Sequence, residues 1–387
     1  MTGHAALYRH AYVHVPFCSR RCSYCDFSIA VRRDVPSERF AASVGTEFGR
    51  RTRSAGLTDV ETLYFGGGTP SKLGPAGVKG LISTLTEAGL RLAKGAEVTL
   101  EVNPEDVTAA AADSWREAGV NRLSMGVQSF SDAALAWMHR THTAAASSEA
   151  FRTARAAGFA DISVDLIYAL PARLGRDWAA DLQRAIELEP DHISVYGLTV
   201  EPRTPLGRWT ARGTEVPQTD ENAAEEFLAA HATLTGAGFE HYEVSSYARP
   251  GKRSRHNSAY WKRVPYIGLG PSAHSFDGSS RRWNVAAYAL WEAALGAGSD
   301  GAGGTEDLDA GQHAAESLYL GLRTDIGAEL ALPANAARTA RWVAEGWAAR
   351  SGTHSGTHSG THSGTRTRLT AEGWLRLDAL VASLDPE

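Results

Sequence analysis

His14-Val-Pro-Phe-Cys18-Ser-Arg-Arg-Cys22-Ser-Tyr-Cys25-Asp-Phe27 contains every cysteine of a 387-residue chain. Three thiols in C-x3-C-x2-C spacing, with none elsewhere, act as a set. Thiolates are soft ligands, and a loop this short can wrap them around one metal centre. A [4Fe–4S] cube held by three cysteines leaves one iron open to a small molecule. Unrelated structural cysteines would scatter along the chain, and a disulfide framework favours an even count in a secreted protein. A Cys3His zinc site with His14 as fourth ligand is the competing reading, but the paired C-x2-C of structural zinc sites is missing. The iron–sulfur reading is preferred.

Outward from this loop, short apolar, β-branched runs recur at Tyr12–Val15, Leu63–Phe65, Val98–Val102, Arg122–Val127, Ile162–Tyr168, His192–Leu198 and His241–Ser245. Between them Ala109–Ala118, Ala144–Ala157, Trp178–Leu188 and Asn222–Ala237 have helical spacing. Gly56, Gly89, Gly119, Gly158 and Gly238 read as helix stops. Alternating strand and helix predicts a parallel sheet, either a barrel or a doubly wound sheet. The barrel is favoured because polar and glycine residues gather at successive strand ends: Gly66-Gly67-Gly68-Thr69, Glu101 with Asn103, Ser124 with Gln128, and Asp165. In such a barrel the C-terminal rim carries the active site.

Residues 246–300 are rich in aromatics and glycine and read as a loop-like connection after a first domain over 1–245. Residues 301–387 return to helical patterns at Glu316–Leu322, Ala336–Glu345 and Ala371–Leu384. Between the last two, 351–365 repeats Ser-Gly-Thr-His, a composition that cannot bury a core; it reads as a flexible insertion at a hairpin tip. His354, His358 and His362 within it have no helix to align them and are read as incidental.

Hydrophobic residues make up 43% of the chain and the net charge is −5. Bulk electrostatics thus argue against a nucleic-acid partner. The first residues lack the apolar region of a signal peptide, and no run is apolar enough to span a bilayer. A cytoplasmic protein is expected.

These motifs resemble the radical S-adenosylmethionine superfamily, and within it the family of oxygen-independent coproporphyrinogen III oxidase-like proteins. The resemblance runs through Tyr12-Val-His-Val-Pro-Phe-Cys18, Tyr64-Phe-Gly-Gly-Gly-Thr-Pro70, Glu101-Val-Asn-Pro104, Arg122-Leu-Ser-Met-Gly-Val-Gln-Ser-Phe130 and Asp165-Leu-Ile-Tyr-Ala-Leu-Pro171. It continues through His192-Ile-Ser-Val-Tyr-Gly-Leu-Thr-Val-Glu-Pro202 and His256-Asn-Ser-Ala-Tyr-Trp261. It implies an α/β fold: a partial (β/α) TIM-type barrel followed by a smaller, mainly helical, winged-helix-like C-terminal domain.

It also implies a [4Fe–4S] cluster on Cys18, Cys22 and Cys25, with S-adenosylmethionine on the fourth iron. Gly66, Gly67 and Gly68 would admit its methionine end, Glu101 would take the ribose hydroxyls, and Tyr12 and Tyr24 would flank cluster and adenine. Gln128, Arg140 and Asp165, with Gly68 and Thr69, match contacts to a second S-adenosylmethionine; from residue types alone, Arg140 and Asp165 read as an ion pair at the barrel mouth.

Three features favour the family's haem-chaperone branch over its oxidase. Phe27 stands where the oxidase has another cysteine, the first ligand comes as early as Cys18, and His256 to Trp261 match H-N-x-x-Y-W. The implied cofactor is haem, with His256 as leading ligand and His274 as second candidate; on residue type alone, His256 and Asn257 would merely tie a loop to the barrel. The implied partners are haem-accepting proteins, membrane respiratory enzymes among them, with peripheral membrane contact, and an electron donor such as flavodoxin or ferredoxin. The alternative is an enzyme that oxidatively decarboxylates coproporphyrinogen III to protoporphyrinogen IX.

Overall fold

Threonine and aspartate open the helices that cover the sheet. The side chains of Thr108, Thr143, Asp177 and Thr219 accept hydrogen bonds from backbone N–H groups of the first turns of Ala109–Glu117, Ala144–Ala156, Trp178–Glu187 and Asp220–Gly236. Gly89, Gly119, Gly158 and Gly238 then end helices with positive φ, the left-handed turn that glycine adopts without steric cost. The computed structural model describes residues 8–53, 57–330, 332–351 and 366–384. Gly56 and the Ser-Gly-Thr-His repeat after Ser351, with its histidines, lie outside the described residues.

Strand β1 (Tyr8–Val15) leads into two short strands, β2 (Phe17–Cys18) and β3 (Ala30–Val31). Then come β4 (Leu57–Gly67), β5 (Leu92–Val102), β6 (Arg122–Gln128), β7 (Ile162–Tyr168) and β8 (His192–Gly197). Strands β1 and β4 to β8 lie side by side in parallel, in chain order. Val13, Leu63, Leu100, Leu123 and Val164 are fully buried on the outer face of the sheet and share one core with Phe40, Val44 and Phe48 of helix Ser37–Thr52, while the alternate residues Glu101, Ser124 and Asp165 face the interior. This is the partial barrel that the strand–helix alternation predicts.

The barrel sheet extends further than expected. Strands β9 (Glu240–Glu243) and β10 (Ser246–Ala248) continue it antiparallel beyond β8. At the other end β11 (Tyr266–Leu269) pairs parallel with β1, followed by antiparallel β12 (His274–Phe276), β13 (Ser280–Asn284) and β14 (Ala302–Asp307). The whole is a twelve-stranded sheet. The stretch 246–300 is therefore not a loop-like connection. Its strands are three to five residues long, too short for an alternating pattern to stand out among aromatics and glycines.

The C-terminal region runs helix Ala310–Leu322, β15 (Ala328–Glu329), helix Pro333–Ala344, β16 (Ala348–Ser351) and β17 (Arg366–Leu369). This is a winged-helix-like order whose three strands form a sheet β15-β17-β16. The single terminal helix expected over Ala371–Leu384 is two short ones, Ala371–Trp374 and Leu377–Ala382. Trp342, Leu369, Trp374 and Leu380 form its core, which Phe227 of the last barrel helix joins.

Candidate cluster and cofactor site at the barrel mouth

Pairing of Phe17 with Ala30 and Cys18 with Val31 closes the loop that carries the other two cysteines. Ser23 anchors its middle: its N–H donates to Met138 O and its C=O accepts from Leu206 N. Cys18, Cys22 and Cys25 are free thiols that line one cavity of about 500 Å³ at the C-terminal ends of the parallel strands. Cys18 Sγ lies 3.5 Å from Thr69 Oγ1, and Arg140 Nη1 lies 3.8 Å from Cys22 Sγ. Burial pushes the Cys18 and Cys25 thiols up, Cys25 to about 11. A metal centre would have to displace those protons, as coordination to a cation does. Among the described residues no three His, Cys, Asp or Glu side chains are grouped to hold a single metal ion. His14, the fourth ligand of the zinc alternative, has both nitrogens engaged, Nδ1 with Tyr12 OH at 3.1 Å and Nε2 with Ser28 O at 3.0 Å. Three thiols around one open cavity suit a cluster better than a lone ion.

Beside the cysteines, β4 ends in the triple glycine. Gly67 has φ +116°, and a Cβ there would fall 2.6 Å from the His14 imidazole; one on Gly68 would fall 2.9 Å from Phe17 O. Glycine is thus required by the protein's own packing, in addition to any ligand that approaches the backbone. The turn directs Gly67 N–H to Glu101 Oε2 at 3.2 Å, while Tyr64 OH donates to Glu101 Oε1 at 2.8 Å. Glu101 faces the cavity, but burial, with the nearby Asp165 carboxylate adding to it, raises its carboxyl to about 7 against the lowering effect of those two donors.

Gln128 ends β6 at an irregular register with β7 and has φ 69°. Such bulges re-aim side chains next to functional sites. Arg140 Nη2 donates to Asn103 Oδ1 at 2.6 Å and to Gly126 O at 2.9 Å. Asp165 accepts from Ser124 Oγ, at 3.0 Å to Oδ2, and from Ser163 Oγ at 3.4 Å. Arg140 and Asp165 therefore hold separate sets of partners, and no ion pair between them forms. Burial raises the Asp165 carboxyl despite its serine donors.

Cys18, Cys22, Cys25, Tyr24, Gly67, Gly68, Thr69, Glu101, Gln128, Arg140 and Asp165 all line this one cavity. Gly66 and Tyr12 sit just beneath it: a Cβ on Gly66 would meet Glu101 Oε1 at 2.9 Å and the Tyr12 ring at 3.0 Å. Phe27 reaches the same mouth and is 60% exposed. Tyr64, Tyr196 and Glu105 were not singled out from sequence. Glu105 is held below the usual carboxylate range, at about 2; its burial, which raises it, is outweighed by donors from His142 and Thr141. Only the position of Tyr64, two residues before Gly66, carried a signal.

His256 lies elsewhere. It has no solvent exposure, its Nδ1 is bonded to Thr62 Oγ1 at 2.7 Å, and its Nε2 to Tyr260 OH at 2.7 Å. Its ring stacks 4.9 Å from Tyr64 inside the barrel, and Tyr12 lies 6.3 Å away. As placed, neither nitrogen is open to iron. In this arrangement His256 ties helix Arg255–Trp261 to the barrel. His274 is exposed on β12, with its ring 6.2 Å from Trp283.

A partial barrel with three cysteines and a glycine turn at its C-terminal rim defines a radical S-adenosylmethionine protein. The Radical SAM superfamily pattern matches residues 12–185. "Heme chaperone HemW" of Synechocystis sp. is 35% identical over 82% of this chain and 78% of its own length. The protein of the same name from Escherichia coli is 38% identical over 68% of each chain, and that from Bacillus subtilis 31% over 82% and 84%. The solved structure of Escherichia coli coproporphyrinogen III oxidase superimposes with TM-score 0.78 over 96% of this chain and 89% of its own, at 21% identity, a likeness of fold. The chain belongs to the radical SAM superfamily and, within it, to the family of the HemW haem chaperones.

Proposed function

We propose that this protein binds haem and hands it to acceptor haemoproteins, carrying a [4Fe–4S] cluster and S-adenosylmethionine at the barrel mouth. The observation that carries this reading is 31–38% identity to bacterial proteins named heme chaperone, against 21% to the oxidase structure. Phe27 in place of the oxidase's further cysteine supports it. Cys18, Cys22 and Cys25 would hold the cluster, and when bound, cluster and S-adenosylmethionine supply one-electron chemistry at the sulfonium. Glu101 would orient ribose hydroxyls through its remaining lone pairs, and Gly66 to Gly68 would leave room for the methionine end. Arg140, Gln128 and Asp165, with Gly68 and Thr69, would position a second nucleoside-like ligand. Tyr24 would close the cavity beside the cysteines, and Tyr12 would support its floor.

Acceptors would include respiratory enzymes reached by peripheral membrane contact from the cytoplasm, and a flavodoxin or ferredoxin would supply electrons. Among the described residues no helix is long and apolar enough to cross a membrane. The second reading, oxidative decarboxylation of coproporphyrinogen III, draws on the shared fold. Anaerobic reconstitution separates the two. The expected result is about one haem bound per chain, with coproporphyrinogen III unconsumed in the presence of reductant and S-adenosylmethionine. Cys22→Ala should lose the cluster and keep the haem. Robust decarboxylation by the parent overturns the chaperone reading.

A further inference from the structure

Ser163 and Asp165 of β7 point to the barrel interior, and so do His192, Ser194 and Tyr196 of β8, because alternate residues of a strand share a face. Register sets Ser163 beside His192 and Asp165 beside Ser194. Asp165 and Tyr196 line the cofactor cavity, while Ser163 and His192 lie below it and are buried. His192 opens a motif of the sequence to which the cluster and its cofactor assign no role.

A hydrogen-bonded chain runs down from Asp165. Ser163 Oγ lies 3.4 Å from Asp165 Oδ1 and 2.8 Å from His192 Nδ1. His192 Nε2 lies 2.8 Å from Tyr242 OH, whose oxygen accepts from Ser254 N–H at 3.3 Å. Tyr242, on β9, faces a separate cavity beside Arg253 and Asp325. Burial keeps His192 neutral, so one ring nitrogen donates and the other accepts. An ionised carboxylate only accepts. With Asp165 ionised, the Ser163 hydroxyl donates to it, His192 Nδ1–H donates to Ser163, and Tyr242 OH donates to His192 Nε2. Every donor in the chain then points toward Asp165, and hydrogen bonds in series strengthen one another.

The other groups around Asp165 do not replace this chain. Glu101 of β5 opposes its charge; Arg122 of β6 supports it but is paired with Asp161. Tyr64 of β4 and Tyr196 of β8 are neutral phenols held above their usual range. Ser124 and Ser194 add hydroxyl donors from the neighbouring strands. Arg122 also acts on His192, and Glu243 with Arg122 on Tyr242.

We propose that His192 and Tyr242 are positioning residues of the cofactor cavity, which through Ser163 hold the Asp165 carboxylate charged and oriented toward a cationic ligand such as S-adenosylmethionine. This rests on the reading of Asp165 as a ligand-binding carboxylate and deepens it. Neither residue would touch the ligand.

The test measures S-adenosylmethionine binding to the reconstituted full chain by equilibrium dialysis between pH 5.5 and 8. It compares the parent, Asp165→Asn, Tyr242→Phe, Ser163→Ala, and each of the last two combined with Asp165→Asn; iron content and thermal unfolding report folding. Asp165→Asn should weaken binding. Tyr242→Phe and Ser163→Ala should each weaken it by about threefold or more, and neither should weaken it further once Asp165 is Asn. The single-variant losses should grow as pH falls, because a carboxylate deprived of donors takes up its proton at higher pH. Should Tyr242→Phe fail to fold, Ser163→Ala and its double variant decide. Equal losses with and without Asp165, or no loss in either single variant, overturn the proposal and leave the cofactor site standing. Undiminished binding in Asp165→Asn overturns the ligand-binding role of Asp165 and the proposal together.

Discussion

At His256 the unfolded chain exposes an ordinary imidazole, whereas the folded protein buries it between Thr62 and Tyr260 and lowers its pKa to about 3. Below the unfolded value of 6.5 the unfolded state binds the extra proton and the folded state does not. Stability from this site is therefore complete above pH 6.5 and is lost as pH falls toward 3, by roughly 4–5 kcal/mol over the full window. His256→Gln should flatten that acid limb in denaturant titrations between pH 4 and 7, with His241, also lowered to about 3, accounting for part of what remains. The same variant should leave the haem Soret band and affinity unchanged. A shifted band would restore His256 to the iron. Residue identity alone cannot make this choice, because an imidazole in sequence is equally a ligand or a buried hydrogen-bond bridge.

Helix Arg255–Trp261 has only seven residues, too few to stand without tertiary support. Ser254 caps it, and Glu97 from β5 places one oxygen 3.0 Å from His256 N and the other 3.0 Å from Arg255 N. A carboxylate on the first N–H groups satisfies donors that the helix cannot and complements its dipole. Glu97→Gln keeps the shape and removes the charge. It should cost about 1–2 kcal/mol in denaturant unfolding and raise hydrogen exchange of residues 255–261, with the other barrel strands unaffected. An unchanged exchange pattern would mean the helix holds by packing alone. Nothing local in the sequence announced this cap, since Glu97 lies far from the helix along the chain. The longer barrel helices were legible because their threonine starts and glycine stops sit beside them.

Across the whole molecule, the C-terminal sheet tolerates a long interruption. Ala348 to Ser351 pair with Leu369 to Arg366, so Ser351 faces Arg366 at the point where the repeat intervenes. Joining these two positions with an Asn-Gly turn in place of residues 352–365 matches the favoured two-residue hairpin. The replaced segment has no apolar residue to contribute. Loop length weighs little in stability, so the shortened chain should stay within about 1 kcal/mol of the parent in thermal unfolding and should match it in the proposed binding of cluster and haem. A larger loss would assign the repeat a packing role that its composition does not suggest.

By itself the sequence determined the cysteine loop, the alternation of strands and helices, and the residues gathered at the barrel rim. These are contiguous motifs or short-period patterns, carried by neighbours in the chain. Only the tertiary structure decided which way each polar group points. It turned His256 inward and Trp261 outward, joined Tyr64 to Glu101, separated Arg140 from Asp165, and brought Tyr266–Leu269 alongside the first strand. Those outcomes depend on contacts between segments up to some 250 residues apart, where hydrogen bonding and burial are settled by packing and not by local pattern.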